Sequence, residues 1–189
     1  MNRSEFLRSS ASLACASCAT LILGTRAEAA DPAATVTPVD EALKKSQAEN
    51  QFTNNWLDDL FAAIDAEVDP ATRLRLMQGC GRGCFNRHKF KQDIAEAGKG
   101  DVDKLLTAYK RNFNIAREGD LVHIRYGGGK CFCPAARNRP GRPNDLHCEC
   151  TRFTHEAIFA TALGRHVPVE LVETVRRGGK NCHLVARLN

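Results

Sequence analysis

The number and grouping of the cysteines constrain this chain more than any other sequence feature. The chain has nine cysteines in 189 residues. Two of them, Cys15 and Cys18, lie near the N-terminus, and the other seven are Cys80, Cys84, Cys131, Cys133, Cys148, Cys150 and Cys182. Thiols at this density form disulfides, bind metals or act in catalysis. Because seven is odd, at least one of these thiols is free, bound to a metal or paired between chains.

The first thirty residues predict an export signal. A basic start precedes an uncharged apolar run over residues 11–24, and a small-x-small cleavage pattern follows at 27–29. The start is similar to a twin-arginine signal in which Ser4 replaces the second arginine. The apolar run is shorter than the roughly 20 residues that span a bilayer. We therefore expect residues 1–30 to be removed on export to the periplasm or beyond, leaving a mature protein without a stable membrane span.

Hydrophobic periodicity predicts helices in the first part of the mature chain. Apolar residues recur at three- and four-residue spacing over 38–68, from Pro70 into Cys80, around 89–97 and after Asp101. In the first of these segments the apolar face is formed by Trp56, Leu57, Leu60, Phe61 and Ile64. Residues 31–38 are predicted to be a linker, and 39–189 a single domain.

The second half of the chain predicts strands. The period changes to two at Leu121, and the segments 167–175 and 182–188 indicate a hairpin that turns at a Gly-Gly pair. A helix is predicted over 151–164, after a cysteine-rich loop. This order is typical of an α+β fold, with N-terminal helices followed by an antiparallel sheet, the cysteine-rich loop, one helix and a closing β-hairpin.

Two C-x-C pairs, Cys131/Cys133 and Cys148/Cys150, are the strongest candidate for a metal site. Alternate residues of an extended chain point the same way, so each pair can present two sulfurs to one centre. Four thiolates make the closed tetrahedral site that zinc prefers. An iron–sulfur cluster also takes four thiolates, but the usual ferredoxin spacings are absent. Zinc is therefore the expected metal, with an iron–sulfur cluster as the less favoured alternative.

Two other uses of the thiols remain open. Structural disulfides between the two C-x-C pairs suit an oxidising compartment and give a stapled binding module without a metal. Alternatively, Cys80 or Cys84 is a nucleophile or a redox thiol, with His155 or His88 as base. Arg82, which lies between Cys80 and Cys84, supplies the positive charge that favours a thiolate.

Glu173 and the histidines are further candidate ligands. Glu173 is the one carboxylate on the apolar face of the strand 167–175, where a charge is costly unless it is paired, protonated or bound to a metal. Alternatively, the strand ends before Glu173 and leaves it in water. His155 follows Cys150 by five residues and is the first histidine candidate. His147 and His183 each adjoin a cysteine, but neighbouring strand residues point to opposite faces, so they are expected to point away from its sulfur.

Charge and glycine patterns do not indicate nucleic acid or nucleotide binding. The net charge is +5, and the basic segments lack the interleaved aromatics of single-strand binders. The segment 127–130 is Gly-Gly-Gly-Lys followed by Cys131, which does not match a phosphate-binding P-loop. The arginine-rich stretch 135–147 can hold an anion or form an exposed linker.

Several motifs resemble a bacterial family that is described only as a domain of unknown function. The matching segments are GCGRGC at 79–84, YGGGKCFCP at 126–134, HCEC at 147–150 and PVELVETVRRGGKNCHL at 168–184. The resemblance extends over about residues 69–189.

The last forty residues also resemble the end of the 4-vinyl-reductase-type domain. That resemblance implies an α+β fold with a small-molecule pocket and a zinc held by cysteines and a carboxylate near the closing hairpin. By position it implies roles for Cys150, Glu173 and Cys182. The family has a further cysteine shortly after the carboxylate, so Cys148 or the Cys131/Cys133 pair would substitute for it here.

The combined expectation is an exported protein that binds zinc and uses an adjoining pocket for a small molecule, as a sensor or carrier. The predicted ligands are Cys131, Cys133, Cys148, Cys150, Cys182 and Glu173. The thiol-dependent enzyme based on Cys80 or Cys84 and the disulfide-stapled module are the alternatives.

Overall fold

Local capping and packing explain where the helices of this chain begin and end. A computed structural model describes residues 37–189, so the predicted export signal and most of the predicted linker lie outside the described residues. The account below concerns the unit Glu41–Asn189. Its helices and four-stranded antiparallel sheet confirm the predicted α+β class.

Four helices precede the sheet: α1 Pro38–Glu67, α2 Pro70–Arg87, α3 Lys89–Ala97 and α4 Val102–Tyr109. The side chain of Asp69 accepts hydrogen bonds from the first-turn N–H groups of α2, and Asp101 does the same for α4. Such caps satisfy amides that have no partner within the helix. Across residues 37–189, no helix has the length and apolarity to cross a bilayer.

Helix α1 has a narrower apolar face than its periodicity predicted. Leu57, Phe61 and Ile64 are half-buried, but Trp56 and Leu60 are exposed. None of the described residues of α1 is fully buried. The prediction of a single face formed by all five residues is therefore wrong, because only positions at i, i+4 and i+7 turn towards the rest of the unit.

The sheet contains one strand that was not predicted. Its strands are β1 Asn114–Glu118, β2 Leu121–Tyr126, β3 Val169–Glu173 and β4 Cys182–Arg187, in the order β1-β2-β4-β3. Strand β1 pairs with β2 across a tight turn at Gly119, which has a φ of +58°. Strands β3 and β4 form the predicted closing hairpin, with a 3₁₀ turn at Val175–Arg177 between them.

Helix α5 begins four residues earlier than predicted and spans His147–Leu163. Cys148 and Cys150 therefore lie in its first turn and not in an extended segment. The prediction that this C-x-C pair points one way is wrong, because helical residues two apart differ by about 200° around the axis. Gly164 ends α5 with a φ of 67°, a left-handed conformation that glycine adopts without strain.

The main core lies between the sheet and helices α3, α4 and α5. Its fully buried large side chains include Leu105, Tyr109, Ile124, Phe159 and Leu184. None of the seven cysteines within residues 37–189 belongs to this core cluster. Helix α2 packs against α5 at the other side, where the N-terminal turns of α5 meet the cysteine-rich loop.

Candidate functional site

Six thiols from separate parts of the chain line one cavity of about 350 Å³. They are Cys84 from α2, Cys131 and Cys133 from the loop after β2, Cys148 and Cys150 from the first turn of α5, and Cys182 from the start of β4. The rest of the lining is mostly apolar and aromatic, and it includes Phe90, Phe113, Tyr126, Phe132, Leu171 and Leu184. The cysteines thus surround a space that they do not fill.

Sheet register and one close helix contact explain how the thiols are brought together. Tyr126, the last residue of β2, lies opposite Cys182, so the end of this strand pair forms one wall. Gly81 allows α2 to approach α5 closely, because a Cβ there would lie 2.7 Å from the backbone oxygen of Cys150. This approach places Cys84, one turn further along α2, beside Cys150.

The structure places the predicted site residues unequally. The five predicted cysteine ligands line the cavity, and so do Cys84 and His155. Cys80 is exposed and does not line it. Glu173 is also absent from the lining, and its Oε1 accepts a hydrogen bond of 2.6 Å from the backbone N–H of Lys180. The carboxylate therefore stabilises the hairpin turn.

Cys84 has the most polarised environment of these thiols. Cys150 donates a hydrogen bond to its sulfur, and Lys91 Nζ donates another at 2.8 Å. These two contacts hold the pKa of Cys84 well below its usual range. The interaction with Cys84, together with burial, raises the pKa of Cys150. Cys84 is therefore the thiol of this pair that loses its proton more readily.

His147 contacts the sulfur of Cys133 and not that of its neighbour Cys148. The distance from His147 Nε2 to Cys133 Sγ is 3.1 Å. Burial, followed by the positive charges of Arg139 and Arg176, lowers the pKa of His147 to about 4, so the ring is neutral. His147 was expected to point away from the sulfur of Cys148; its ring is buried, lines the cavity and contacts Cys133 instead.

The remaining thiols for which a shift is resolved are protonated at neutral pH. Burial raises the pKa of Cys148 to about 11. Burial also raises the pKa values of Cys133 and Cys182. Ionising these thiols in an apolar cavity is costly, because burial disfavours the charged thiolate. A bound cation that replaces their protons would offset this cost.

A buried aromatic triad forms the floor of the cavity. His155 Nε2 lies 2.8 Å from the hydroxyl of Tyr126, and its Nδ1 lies 3.1 Å from the hydroxyl of Tyr109. Burial, with a contribution from Lys91, lowers the pKa of His155 to about 3. Burial raises the pKa values of both tyrosines. The triad is therefore neutral, and two of its members, Tyr126 and His155, line the same cavity as the thiols.

The loop that carries Cys131 and Cys133 is fixed by buried arginines. Arg176 donates a hydrogen bond of 2.6 Å to Asp145 Oδ2, and it also donates to three carbonyl oxygens of the loop. Arg139 is buried and pairs with Asp58 of α1 at 3.1 Å. The loop is therefore not the simple exposed linker that its composition allowed.

Three site residues escaped sequence reasoning. Lys91 follows Cys84 by seven residues, but the break between α2 and α3 at His88 removes any helical register between them. Tyr126 stands at the end of the predicted strand, and only its pairing partner Cys182 reveals its role. Arg176 lies in a basic turn, and such a composition is typical of a solvent-exposed segment.

The seven cysteines of residues 37–189 are free thiols. Among these described residues, no three His, Cys, Asp or Glu side chains are grouped closely enough to hold a single metal ion. The thiols therefore line separate walls of the cavity.

Comparisons with protein-family models, with curated proteins and with solved structures give no match to this chain.

Proposed function

We propose that this chain binds a thiophilic metal centre in the cysteine cavity. The observation that carries the proposal is the convergence of six of the seven described cysteines, from four structural elements, on one cavity. Buried cysteines often act as small apolar residues in a core. In this chain the six cysteines lie outside the main core cluster and surround a cavity, which is the arrangement expected of metal ligands.

The surroundings of the thiols support a soft metal. Thiolates select zinc, copper(I) and iron–sulfur centres over hard cations. Lys91 donates to the sulfur of Cys84, and His147 contacts that of Cys133, so these two sulfurs have partners that orient them. Such outer partners fix the ligands of a metal and tune its properties. Zinc, the metal expected from the sequence, belongs to this class.

The size of the cavity supports a further role in binding a small molecule. Its volume of about 350 Å³ lies at the lower end of the range of ligand pockets, roughly 300–1,000 Å³. A sensor or carrier that acts outside the cytoplasm, after removal of the predicted signal, is the function we propose for such a site.

Elemental analysis of the mature chain, purified anaerobically without chelators, tests the metal proposal. We expect at least about one thiophilic metal atom per chain. Cys150→Ser combined with Cys182→Ser should remove most of it, whereas Cys80→Ser should retain it, because Cys80 lies outside the cavity. Circular dichroism checks that the variants fold. Wild-type protein that neither contains a thiophilic metal nor takes it up in stoichiometric amount would contradict the proposal.

A thiol–disulfide oxidoreductase is the second candidate, favoured by the contact between Cys84, Cys150 and Lys91. The Cys84 thiolate would attack a substrate disulfide and release one thiolate. Cys150, after losing its proton, would attack the mixed disulfide, release the second thiolate and leave a Cys84–Cys150 disulfide. Mass spectrometry after treatment with oxidised glutathione should then find this bond. Its absence in metal-free, folded protein would exclude this candidate.

A further inference from the structure

The number of thiols around the cavity exceeds what one zinc ion uses. A structural zinc ion takes four ligands at about 2.3 Å, which puts the four sulfurs within about 4 Å of one another. Six sulfurs line the cavity, and its volume of about 350 Å³ is far larger than one ion with its first coordination shell requires. The cavity therefore has room for an occupant larger than one ion.

The sulfurs face this space from different walls. Cys84 and Cys150 share a hydrogen bond across the contact between α2 and α5. Cys133 instead contacts His147, and Cys182 stands at the start of β4, opposite Tyr126. A ligand that satisfies all of these sulfurs must extend from wall to wall.

We propose that the metal centre is a polynuclear metal–sulfide cluster of the iron–sulfur class. This inference rests on the metal binding proposed above and specifies its cofactor. In such clusters inorganic sulfide links several irons, and four protein thiolates hold them from separate sides. The cavity supplies more than the required four thiols, and the rest of its lining is mostly aromatic and aliphatic.

The four walls suggest one ligand each: Cys84 from α2, Cys133 from the loop, Cys150 from α5 and Cys182 from β4. The other two thiols have different surroundings. Cys148 is the one fully buried thiol of the six, and Cys131 also borders an adjacent pocket rich in arginine. The proposed cluster ligands are therefore Cys84, Cys133, Cys150 and Cys182, and Cys131 and Cys148 are neighbouring thiols that do not bind the cluster.

Polar groups around the cavity suit a cluster that carries negative charge. Lys91 Nζ lies 2.8 Å from Cys84 Sγ and supplies a positive charge at the cavity wall. Tyr126 also lines the cavity, opposite Cys182, and its hydroxyl lies 2.8 Å from His155 Nε2. Hydrogen bonds to sulfur and exclusion of solvent are the features by which proteins tune iron–sulfur centres.

The test measures iron, zinc and acid-labile sulfide in the full chain, purified anaerobically from cells supplied with both metals. We expect iron and sulfide in equal amounts, about two or about four of each per chain, with the visible absorption of a cluster. If purification strips the metal, the probe is reconstitution with ferrous iron and sulfide under argon. A chain that takes up equal iron and sulfide supports the inference.

Two outcomes separate this inference from the proposal on which it rests. About one zinc per chain without sulfide would overturn the cluster and retain the metal site. Protein that neither contains nor takes up any metal would overturn both.

Single substitutions then test the ligand set. Cys84→Ser, Cys133→Ser, Cys150→Ser and Cys182→Ser should each lose most of the cluster absorption. Cys80→Ser should keep the wild-type spectrum, since Cys80 is exposed and outside the cavity. Because a variant can fail to fold, the wild-type stoichiometry decides the nature of the centre by itself. Retained absorption in all four variants would overturn this choice of ligands.

Discussion

His155 shows at the scale of one residue how burial sets protonation in the cavity wall. The ring is about 1% exposed and lies between the hydroxyls of Tyr109 and Tyr126. Lys91, from the neighbouring helix α3, adds a repulsive positive charge. Burial and this charge disfavour the imidazolium form, which lowers the pKa of His155 to about 3. The native protein therefore holds the ring neutral where an unfolded chain would protonate it.

This difference predicts acid sensitivity. Below about pH 6.5 His155 binds a proton in the unfolded state but stays neutral in the native state. The free energy of unfolding therefore falls as the pH falls towards about 3. The contribution of His155 to the slope approaches about 1.4 kcal/mol per pH unit. Above pH 6.5 both states leave the ring neutral, and the contribution to the slope vanishes.

Urea unfolding between pH 4 and pH 7 measures the effect. His155→Gln should be less stable at pH 7 but should show a shallower decline on acidification than the wild type. The exposed His166 provides the control, and His166→Gln should keep the wild-type slope. His147 is also buried and neutral, so part of the slope remains in the His155 variant. Equal slopes in wild type and His155→Gln would contradict the prediction.

At the scale of the elements, the contact between α2 and α5 depends on one glycine. A Cβ on Gly81 would lie 2.6 Å from the Cβ of Phe153, and both atoms belong to rigid parts of their helices. Gly79 lies in the same helix, but a Cβ there would meet nothing within 4 Å. The two positions thus separate the effect of helix propensity from that of packing.

Substitution of the two glycines by alanine should have opposite effects. Gly79→Ala should stabilise the protein by about 0.5–1 kcal/mol, because alanine favours the helix and meets no obstacle. Gly81→Ala should destabilise it by about 1–3 kcal/mol, since α2 must move away from α5. Chemical denaturation of both variants checks the signs. A stabilised Gly81→Ala variant would show that the helices do not approach as described.

Most elements could be predicted from the sequence because their signals are local. Asp69 and Asp101 mark the starts of α2 and α4, and Gly164 marks the end of α5. Strand β1 escaped prediction because only one of its five residues, Ile115, is buried and its alternation is weak. It exists because it pairs with β2, which is a property of the fold and not of the segment.

The candidate site could be predicted only in part. The number and spacing of the cysteines identified them as candidates. The start of α5 at His147 was missed, because the side chain that accepts a first-turn N–H belongs to Asp145, which precedes the helix by two residues and lies outside the apolar pattern of the helix. That error put Cys148 and Cys150 in an extended segment. The contacts of Cys84 with Cys150 and of Cys133 with His147 are tertiary, so no local pattern encodes them.

At the scale of the whole unit, Asp145 joins the cysteine-rich loop to α5 and to the closing hairpin. Its Oδ1 accepts from the backbone N–H of His147 at 2.9 Å, and its Oδ2 accepts from Arg176 at 2.6 Å. Both side chains of the ion pair are almost entirely buried. The wall that carries Cys131 and Cys133 is therefore held by buried charge and carbonyl contacts more than by apolar packing.

Removing this buried charge should loosen the loop and lower global stability together. Asp145→Asn leaves Arg176 with carbonyl partners but without a counter-charge, which should cost about 3 kcal/mol in unfolding free energy. Glu170→Gln breaks the exposed pair with Arg187 and should cost less than about 1 kcal/mol.

Hydrogen exchange shows where the loss occurs. Amides of the loop 127–146 and the first turn of α5 should exchange faster in Asp145→Asn, and Cys133 should become more accessible to alkylation, because the arginine no longer has a fixed partner across the hairpin. The core amides around Leu105 and Phe159 should follow only the global change in stability. Unchanged exchange in the loop, with stability lost, would mean that Arg176 is held by the carbonyls alone and that the cysteine wall owes its position to something other than this ion pair.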